Sequence, residues 1–184
     1  VTVSLGREAI LHEEIRQKHQ AWKAYLQAPV TVRSQLFLSL WEALKPLPHA
    51  EQQHQLQIIR EWAGVERQTR ESYQRMSVSQ LQRVAQNPLF TIGGHTVSHT
   101  HLASHTMETQ LQEIKENRSL LQETTGQPTE LLSYPYGSWN EASVTAAKIA
   151  GFKAAFTTQN VAVNSTSHPY KMGRIQVKNL GERA

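Results

Sequence analysis

The chain lacks two residue types completely, cysteine and aspartate. The absence of cysteine excludes disulfides and metal sites built from thiolates. The absence of aspartate is unusual, because ordinary usage predicts roughly nine in a chain of this length. All 15 acidic residues are glutamates. A mechanism that requires an aspartate therefore cannot be completed from this sequence alone.

Long apolar runs and blocks of like charge are also missing. No stretch approaches the roughly 18 consecutive apolar residues of a membrane span, and no basic, apolar leader stands at the N-terminus. We therefore expect a soluble globular chain without a membrane segment. The net charge is +4, but the 19 lysines and arginines are scattered among the 15 glutamates. This pattern argues against nucleic-acid binding, which needs a dense basic stripe.

Residues 1–75 have a mostly helical pattern and are interpreted as an insertion or cap. The stretch "TVRSQLFLSLWEALKPLP" predicts a helix that ends at its two prolines. The Gln-rich stretch "HAEQQHQLQIIREWAG" predicts a second helix with Gly64 as its C-cap, and the two helices are expected to form a hairpin. The first residues, "VTVSL", resemble a short strand, while residues 65–76 have the polar, aperiodic character of a loop.

Residues 76–184 alternate between strand and helix patterns. A capped helix is predicted from Ser77, a long helix over "METQLQEIKENRSLLQETTG" and a third helix after Asn140. The predicted strands are "LFTIGG", "TELLSYP", "FKAAFTT" and "RIQVKN". This alternation indicates an α/β fold with parallel pairing through right-handed crossovers. At 184 residues, we expect one domain overall.

A histidine-rich turn, "GGHTVSHTHLASHT", follows the first of these strands. His95 and His99 are four residues apart, a spacing that places two imidazoles on one face of a helical turn. Both can then reach a single zinc ion at about 2.0–2.1 Å. Taken alone this pattern is weak, because solvated surface histidines also produce it. We expect His101 and His105 to be solvated turn residues.

The histidine-rich turn is followed along the chain by a second recognisable motif, and the two together are more informative than either one. The stretch "HTVSH" resembles the second motif of the polysaccharide deacetylases, which have the nodulation-type deacetylase fold of carbohydrate esterase family 4. The stretch "LLSYPYGSWN" resembles the third motif of that family, and "AGFKAAFTT" and "HPYKMGRIQV" resemble later elements. The resemblance covers about Met76 to Val177. It implies part of a deformed (β/α) barrel with a helical N-terminal insertion.

The resemblance also implies an activity and a metal. Family members hydrolyse N-acetyl, sometimes O-acetyl, groups on sugar polymers with a divalent metal, which gives this chain a cell-surface polysaccharide or exopolysaccharide as its expected substrate. His95 and His99 become ligands of Zn²⁺, or of another metal such as Co²⁺. The backbone N–H of Tyr136 becomes the donor to the oxyanion.

Further substrate-binding residues are implied around the third motif, namely Tyr134, Pro135, Tyr136, Gly137 and Trp139. The aromatic members offer flat apolar surface for sugar rings. Many relatives carry an arginine before the proline of this motif, where this chain has "LLSYP". Our hypothesis is that Arg174 takes over that role.

The chain departs from the family in two further respects. The first motif, which supplies an aspartate base and an aspartate ligand, is not found, and neither is the closing motif with its general-acid histidine. We expect the C-terminal portion of a longer deacetylase, inactive alone, whose uncovered sheet edges favour a homodimer. Two alternatives remain open: a degenerate, non-catalytic module for glycan binding or protein assembly, and a different metallohydrolase with a similar turn.

Overall fold

The computed structural model describes residues 4–24, 26–66 and 73–177. The chain forms two compact units, Val1–Leu47 and Pro48–Ala184. This division falls earlier than the sequence-based boundary between residues 75 and 76, because the helix His49–Ala63 belongs to the second unit. The interpretation of residues 1–75 as one inserted segment stays a prediction, as does the helical hairpin.

The first unit contains a 3₁₀ turn and two helices, namely Gly6–Ala9, α1 (Glu13–Ala21) and α2 (Val32–Leu44). Helix α2 begins at a capping box formed by Thr31 and Ser34. The carboxylate of Glu8 accepts hydrogen bonds from the first two amides of α2, at 3.1 and 3.0 Å. These bonds attach the 3₁₀ turn to the N-terminus of α2, where a negative charge is favourable. Of the predicted strand "VTVSL", the first three residues lie outside the described part.

In its described residues, the second unit contains four α-helices: α3 (His49–Ala63), α4 (Val78–Ala85), α5 (Met107–Thr125) and α6 (Glu141–Ile149). Two of their ends confirm the predicted caps, Gly64 and Ser77. Helices α3 and α5 end at glycines in the left-handed region, Gly64 and Gly126. Helices α4 and α6 begin at capping boxes headed by Ser77 and Asn140. None of the helices in the described ranges has the length and hydrophobicity needed to cross a membrane.

The sheet of the second unit is parallel, as predicted. Strands β1 (Leu131–Ser133) and β2 (Ala154–Phe156) pair in parallel, and single parallel bridges join Gly94 to β1 and Met172 to β2. The strand predicted over "LFTIGG" was too long. Leu89 is 85 % exposed, and the Phe90 amide donates to the Asn87 carbonyl, so this segment turns before it reaches the sheet. Residues 174–177 of the predicted strand "RIQVKN" form no strand, and Lys178 and Asn179 lie outside the described part. Over the described residues, the sheet stays open and does not close into a barrel.

The core of the second unit lies around β1, β2, α5 and α6. Its buried members are Leu102, Ile114, Leu132, Tyr134, Ala146, Ala147, Ala150, Phe152 and Ala155. Because the strands are parallel, the segments that follow Gly94, β1 and β2 all leave the sheet at the same edge. The two motifs singled out in the sequence follow the first two of these positions.

Candidate functional site

The carboxyl edge of the sheet brings two loops into contact. We call residues 95–99 the histidine loop and residues 134–137 the tyrosine turn. The rings of His95 and His99 are 4.8 Å apart between centroids, and the rings of His99 and Tyr136 are 4.6 Å apart. Both contacts are edge-to-face. Three of the predicted site residues therefore lie together, and they come from two neighbouring positions of the sheet.

His95 has a fixed ring orientation. Its Nδ1 lies 2.6 Å from the backbone carbonyl oxygen of Ser133, the last residue of β1. A carbonyl can only accept, so Nδ1 carries the proton and donates it. The lone pair is then on Nε2, which is the arrangement seen in metal-binding histidines whose other nitrogen is hydrogen-bonded.

His99 is the second imidazole of the pair. Partial burial lowers its pKa, and the neighbouring charge of His95 lowers that pKa further. Both effects favour the neutral ring, which is the form that coordinates a metal. The lowered pKa is therefore consistent with a ligand.

Helix α5 holds the histidine loop through two side chains that sequence reasoning missed. The carboxylate of Glu113 accepts hydrogen bonds from the backbone amides of Val97 and Ser98, both at 2.9 Å, and from the Ser98 hydroxyl at 2.6 Å. The amide oxygen of Asn117 accepts from the His95 amide at 3.0 Å. The only signal in the sequence was their spacing of four, which places both on one face of α5.

The loop and the turn have a strained backbone. Thr96, His99 and Tyr136 have φ values of 62°, 60° and 59°. Residues with a side chain seldom adopt this left-handed region, which costs about 1–3 kcal/mol each. Such conformations persist where surrounding contacts determine them, as the hydrogen bonds from α5 do for the histidine loop.

Two glycines allow the close packing around the site. A Cβ atom at Gly94 would lie 2.8 Å from the Asn117 oxygen and 2.9 Å from the Phe152 ring. Gly137 has a φ of 66°, and a Cβ atom there would clash with the Thr158 side chain. Thr158 comes two residues after β2, so the tyrosine turn is packed against the next segment of the sheet edge.

The tyrosine turn presents less aromatic surface than the sequence indicated. The Tyr134 side chain is fully buried, its hydroxyl donates to the Tyr170 carbonyl at 3.0 Å, and burial raises its pKa. Pro135 is also buried. The prediction that the Tyr134 ring offers a surface to a sugar is therefore wrong, because the ring is part of the core. Tyr136 is 44 % exposed and Trp139 is half-buried beside Tyr134.

Arg174 lies at the carboxyl end of β2. Its Nε donates to the Thr157 carbonyl at 2.8 Å, and its amide donates to the Gln159 carbonyl at 2.8 Å. Both acceptors follow β2, so Arg174 is attached to the same edge of the sheet as the two loops. Its pairing with a catalytic base stays a prediction.

His101 and His105 are not the solvated residues that the sequence indicated. His101 is half-buried, with its Nδ1 2.8 Å from the Ser104 hydroxyl and 3.1 Å from the Ser138 hydroxyl. His105 has a buried Nε2, and burial lowers its pKa. Both packed positions follow from the 3₁₀ turn Leu102–Ser104, which folds this segment onto the core through Leu102.

The site offers part of the donor set that a protein-bound metal ion requires. His95 and His99 supply two nitrogens of the type that suits Zn²⁺ and Co²⁺. Across residues 4–24, 26–66 and 73–177, no group of three or more His, Cys, Asp or Glu side chains is placed to hold one ion. Protein zinc sites use three or four protein ligands. The described residues therefore match such a site in chemistry and provide two of its ligands.

Comparisons with known proteins identify a family that matches much of the chain. The family model for polysaccharide deacetylases matches residues 50–155, more than half of the chain. YxkH of Bacillus subtilis, named as a polysaccharide deacetylase, is 28 % identical over 102 residues, which cover 55 % of this chain and 36 % of YxkH. The matched family region includes both the histidine loop and the tyrosine turn.

Solved structures show the same fold. The Streptococcus pyogenes deacetylase PplD, in complex with acetate, has a TM-score of 0.54 and 22 % identity, over 58 % of this chain and 47 % of that one. The polysaccharide deacetylase BC0361 from Bacillus cereus has a TM-score of 0.51 and 23 % identity, over 57 % of this chain and 33 % of that one. The chain thus matches less than half of the length of each of these relatives.

Proposed function

Because the chain belongs to the polysaccharide deacetylase family, we propose that it provides the two-histidine part of a metal-dependent carbohydrate deacetylase site. Enzymes of this family hydrolyse amide bonds and generally depend on a divalent metal. The observation that carries the proposal is the pair of imidazoles beside the tyrosine turn, with His95 oriented by the Ser133 carbonyl. The proposed reaction is removal of N-acetyl or O-acetyl groups from a cell-surface polysaccharide or exopolysaccharide.

The two histidines are the proposed metal ligands, His95 through Nε2 and His99 through its neutral ring. Bound Zn²⁺ or Co²⁺ would supply Lewis acidity toward water and the acetyl carbonyl. The hydrogen bond from His95 Nδ1 to Ser133 keeps the ring from rotating. A ligand held in this way loses little rotational freedom when a metal binds.

The tyrosine turn is proposed to stabilise the oxyanion through the Tyr136 backbone N–H. Such a donor is effective when its direction is fixed before the reaction. The turn meets this need, because the Gly137 amide donates to the Tyr134 carbonyl at 3.0 Å and the Ser138 amide to the Pro135 carbonyl at 2.9 Å. Pro135 is buried, which anchors the turn to the protein interior.

The proposed sugar surface consists of Tyr136 and Trp139. Tyr136 is exposed and lies against His99, so a sugar stacked on its ring would be next to the metal ligands. Trp139 is half-buried, and the Lys171 ammonium lies 5.1 Å from its ring centroid. An aromatic face with a neighbouring cation suits a polar sugar ring.

The chain contains no aspartate, so aspartate does not supply the catalytic base or the third metal ligand of the site. We propose that the parallel sheet is one part of a deformed (β/α) barrel, the fold of the nodulation-type deacetylases. Arg174 is proposed to orient the catalytic base from its position after β2. A carboxylate base and a third ligand are needed in addition to the residues described.

The missing aspartates favour a second candidate function, a non-catalytic deacetylase-like module. Such a module would bind a glycan through Tyr136 and Trp139 without hydrolysing it. It predicts that a chitooligosaccharide binds equally well with and without a metal, and that the His95→Ala variant keeps this binding.

Zinc binding by calorimetry tests the leading proposal. We expect weak binding that either His95→Ala or His99→Ala weakens about tenfold or more, because each removes one of two ligands. The matched control is His54→Ala, which removes an exposed histidine of α3. If zinc affinity is the same in the parent chain and in both loop variants, the proposed ligands are wrong.

A further inference from the structure

Glu113 is a charged side chain of α5 that the proposed reaction does not use. Its two carboxylate oxygens accept three hydrogen bonds from the middle of the histidine loop, two from backbone amides and one from the Ser98 hydroxyl. Hydrogen bonds to an ionised carboxylate are stronger than those between neutral groups. The segment between the two proposed ligands is therefore attached to α5 at its centre.

The strain of the loop makes this attachment necessary for its shape. Thr96 and His99, on either side of the bonded amides, have left-handed φ values of 62° and 60°. A β-branched residue such as Thr96 is particularly unfavourable there. Without the carboxylate, the amides of Val97 and Ser98 lose their partners, and the two strained residues can relax. The separation of the two imidazoles would change with them.

The carboxylate itself is not placed as a metal ligand. Its Oε2 accepts from two amides at 2.9 Å and its Oε1 from the Ser98 hydroxyl at 2.6 Å. These donors come from the loop, so Oε2 is directed at the loop backbone and Oε1 at the Ser98 side chain. One helical turn further on, Asn117 accepts from the His95 amide and fixes the start of the loop.

We propose that Glu113 is a positioning residue for the His95 and His99 pair, and that it sets the separation at which the two imidazoles bind one metal ion. This inference rests on the proposed function of the histidines as ligands. Outer residues that orient metal ligands typically change metal affinity by about 10- to 100-fold when they are replaced. Glu113 acts through the loop backbone and makes no contact with the metal.

The test compares zinc affinity and folding in Glu113→Ala, Glu113→Gln and a matched control. The control is Glu116→Gln, because Glu116 lies on the same helix and accepts from the Gln112 side-chain amide at the exposed surface. We expect Glu113→Ala to lower zinc affinity about tenfold or more and Glu113→Gln to lower it less, since the amide keeps one acceptor oxygen. The control should bind zinc like the parent chain.

Two further measurements separate positioning from folding. Thermal unfolding without metal reports stability, and the ¹⁵N shifts of the His95 and His99 rings report their hydrogen bonding and metal contact. In a folded Glu113 variant, we expect the ring shifts to move while the amide shifts of α6 stay in place. A merely structural role would lower stability and leave zinc affinity of the folded protein unchanged.

Failure of the positioning role can be distinguished from failure of the proposed function. If His95→Ala and His99→Ala leave zinc affinity unchanged, the histidines are not ligands and both proposals fail. If those variants lose zinc but folded Glu113→Ala binds it like the parent, only the positioning role is overturned. If Glu113→Ala is unfolded, Glu113→Gln decides. Unfolding of Glu113→Gln as well at 20 °C would also overturn the inference.

Discussion

At the scale of single residues, Tyr134 shows that one motif can serve both the core and the site. Its ring belongs to the buried cluster, and its hydroxyl donates to the Tyr170 carbonyl at 3.0 Å. Two residues later, Tyr136 is exposed and contacts His99. The strained φ of 59° at Tyr136 turns the chain between these two roles. Burial of Tyr134 in the core thereby fixes the position of the turn that carries Tyr136.

Burial of Tyr134 predicts a loss of stability in alkaline solution. Its pKa is raised in the folded protein, first by burial and then by Tyr170. In the unfolded chain the phenol loses its proton near pH 10, whereas the folded protein retains it. The unfolded state is then favoured as the pH rises above about 10, by up to about 1.4 kcal/mol per pH unit. Well below pH 10 the phenol is protonated in both states, so this loss of stability does not occur there.

The variant Tyr134→Phe isolates this effect. At pH 7 it loses one hydrogen bond, and we expect the free energy of unfolding to fall by about 1 kcal/mol. Above pH 10 the variant has no phenol to titrate, so the difference from the parent chain should shrink. Urea unfolding at pH 7, 9, 10 and 10.5 measures the difference in unfolding free energy between the variant and the parent chain. A constant difference over this range would contradict the assignment.

At the scale of elements, the α6 N-terminus illustrates how local sequence determines structure. The Asn140 side chain accepts from the Ser143 amide at 3.0 Å, and the Ser143 hydroxyl accepts from the Asn140 amide at 3.0 Å. This capping box starts α6 directly after the segment that follows the tyrosine turn. The position of the turn is thus bounded by β1 on one side and by a fixed helix start on the other.

Replacing Asn140 tests the contribution of this cap. We expect Asn140→Ala to lower the free energy of unfolding by about 1 kcal/mol, because the Ser143 amide loses its acceptor. Asn140→Asp keeps an acceptor oxygen at the helix N-terminus and should retain most of the stability. The measurement is the urea midpoint of each variant. Equal destabilisation by both substitutions would show that the cap is not the cause.

The elements also show which features the sequence could predict. Caps such as Ser77 and Gly64 were found because they depend on residues within one turn of the helix. The strand over "LFTIGG" was overestimated because strand pairing depends on a partner far away in the chain. In the structure only Gly94 meets β1, with its amide 2.7 Å from the Leu131 carbonyl.

In the candidate site, too, features that depend on local sequence were predictable, whereas contacts between distant segments were not. The motif singled out His95 and His99, whose role as ligands stays a prediction, and the structure places His99 in contact with Tyr136 of the other motif. Glu113 and Asn117 were missed because their hydrogen bonds cross from a helix to a loop. No local pattern marks such a contact. Only their spacing of four on α5 indicates a shared face.

At the scale of the whole molecule, the composition limits the chemistry. Deacetylation needs a group to take a proton from water as it attacks, in addition to the metal ligands. The chain has no aspartate for this role, and its described residues contain no cluster of three metal-binding side chains. On the proposed function, the two histidines and the tyrosine turn would bind and orient the metal and the acetyl group, and the chain supplies no aspartate as base.

We therefore predict that this chain by itself has negligible deacetylase activity on chitooligosaccharide, even with added Zn²⁺ or Co²⁺. Release of acetate is the direct measurement. His95→Ala should show the same background rate as the parent chain, because no aspartate is available to act as the base. Robust turnover that His95→Ala abolishes would contradict the prediction. It would also show that a glutamate or a further histidine takes the role that aspartates have in the family, because the chain contains no aspartate.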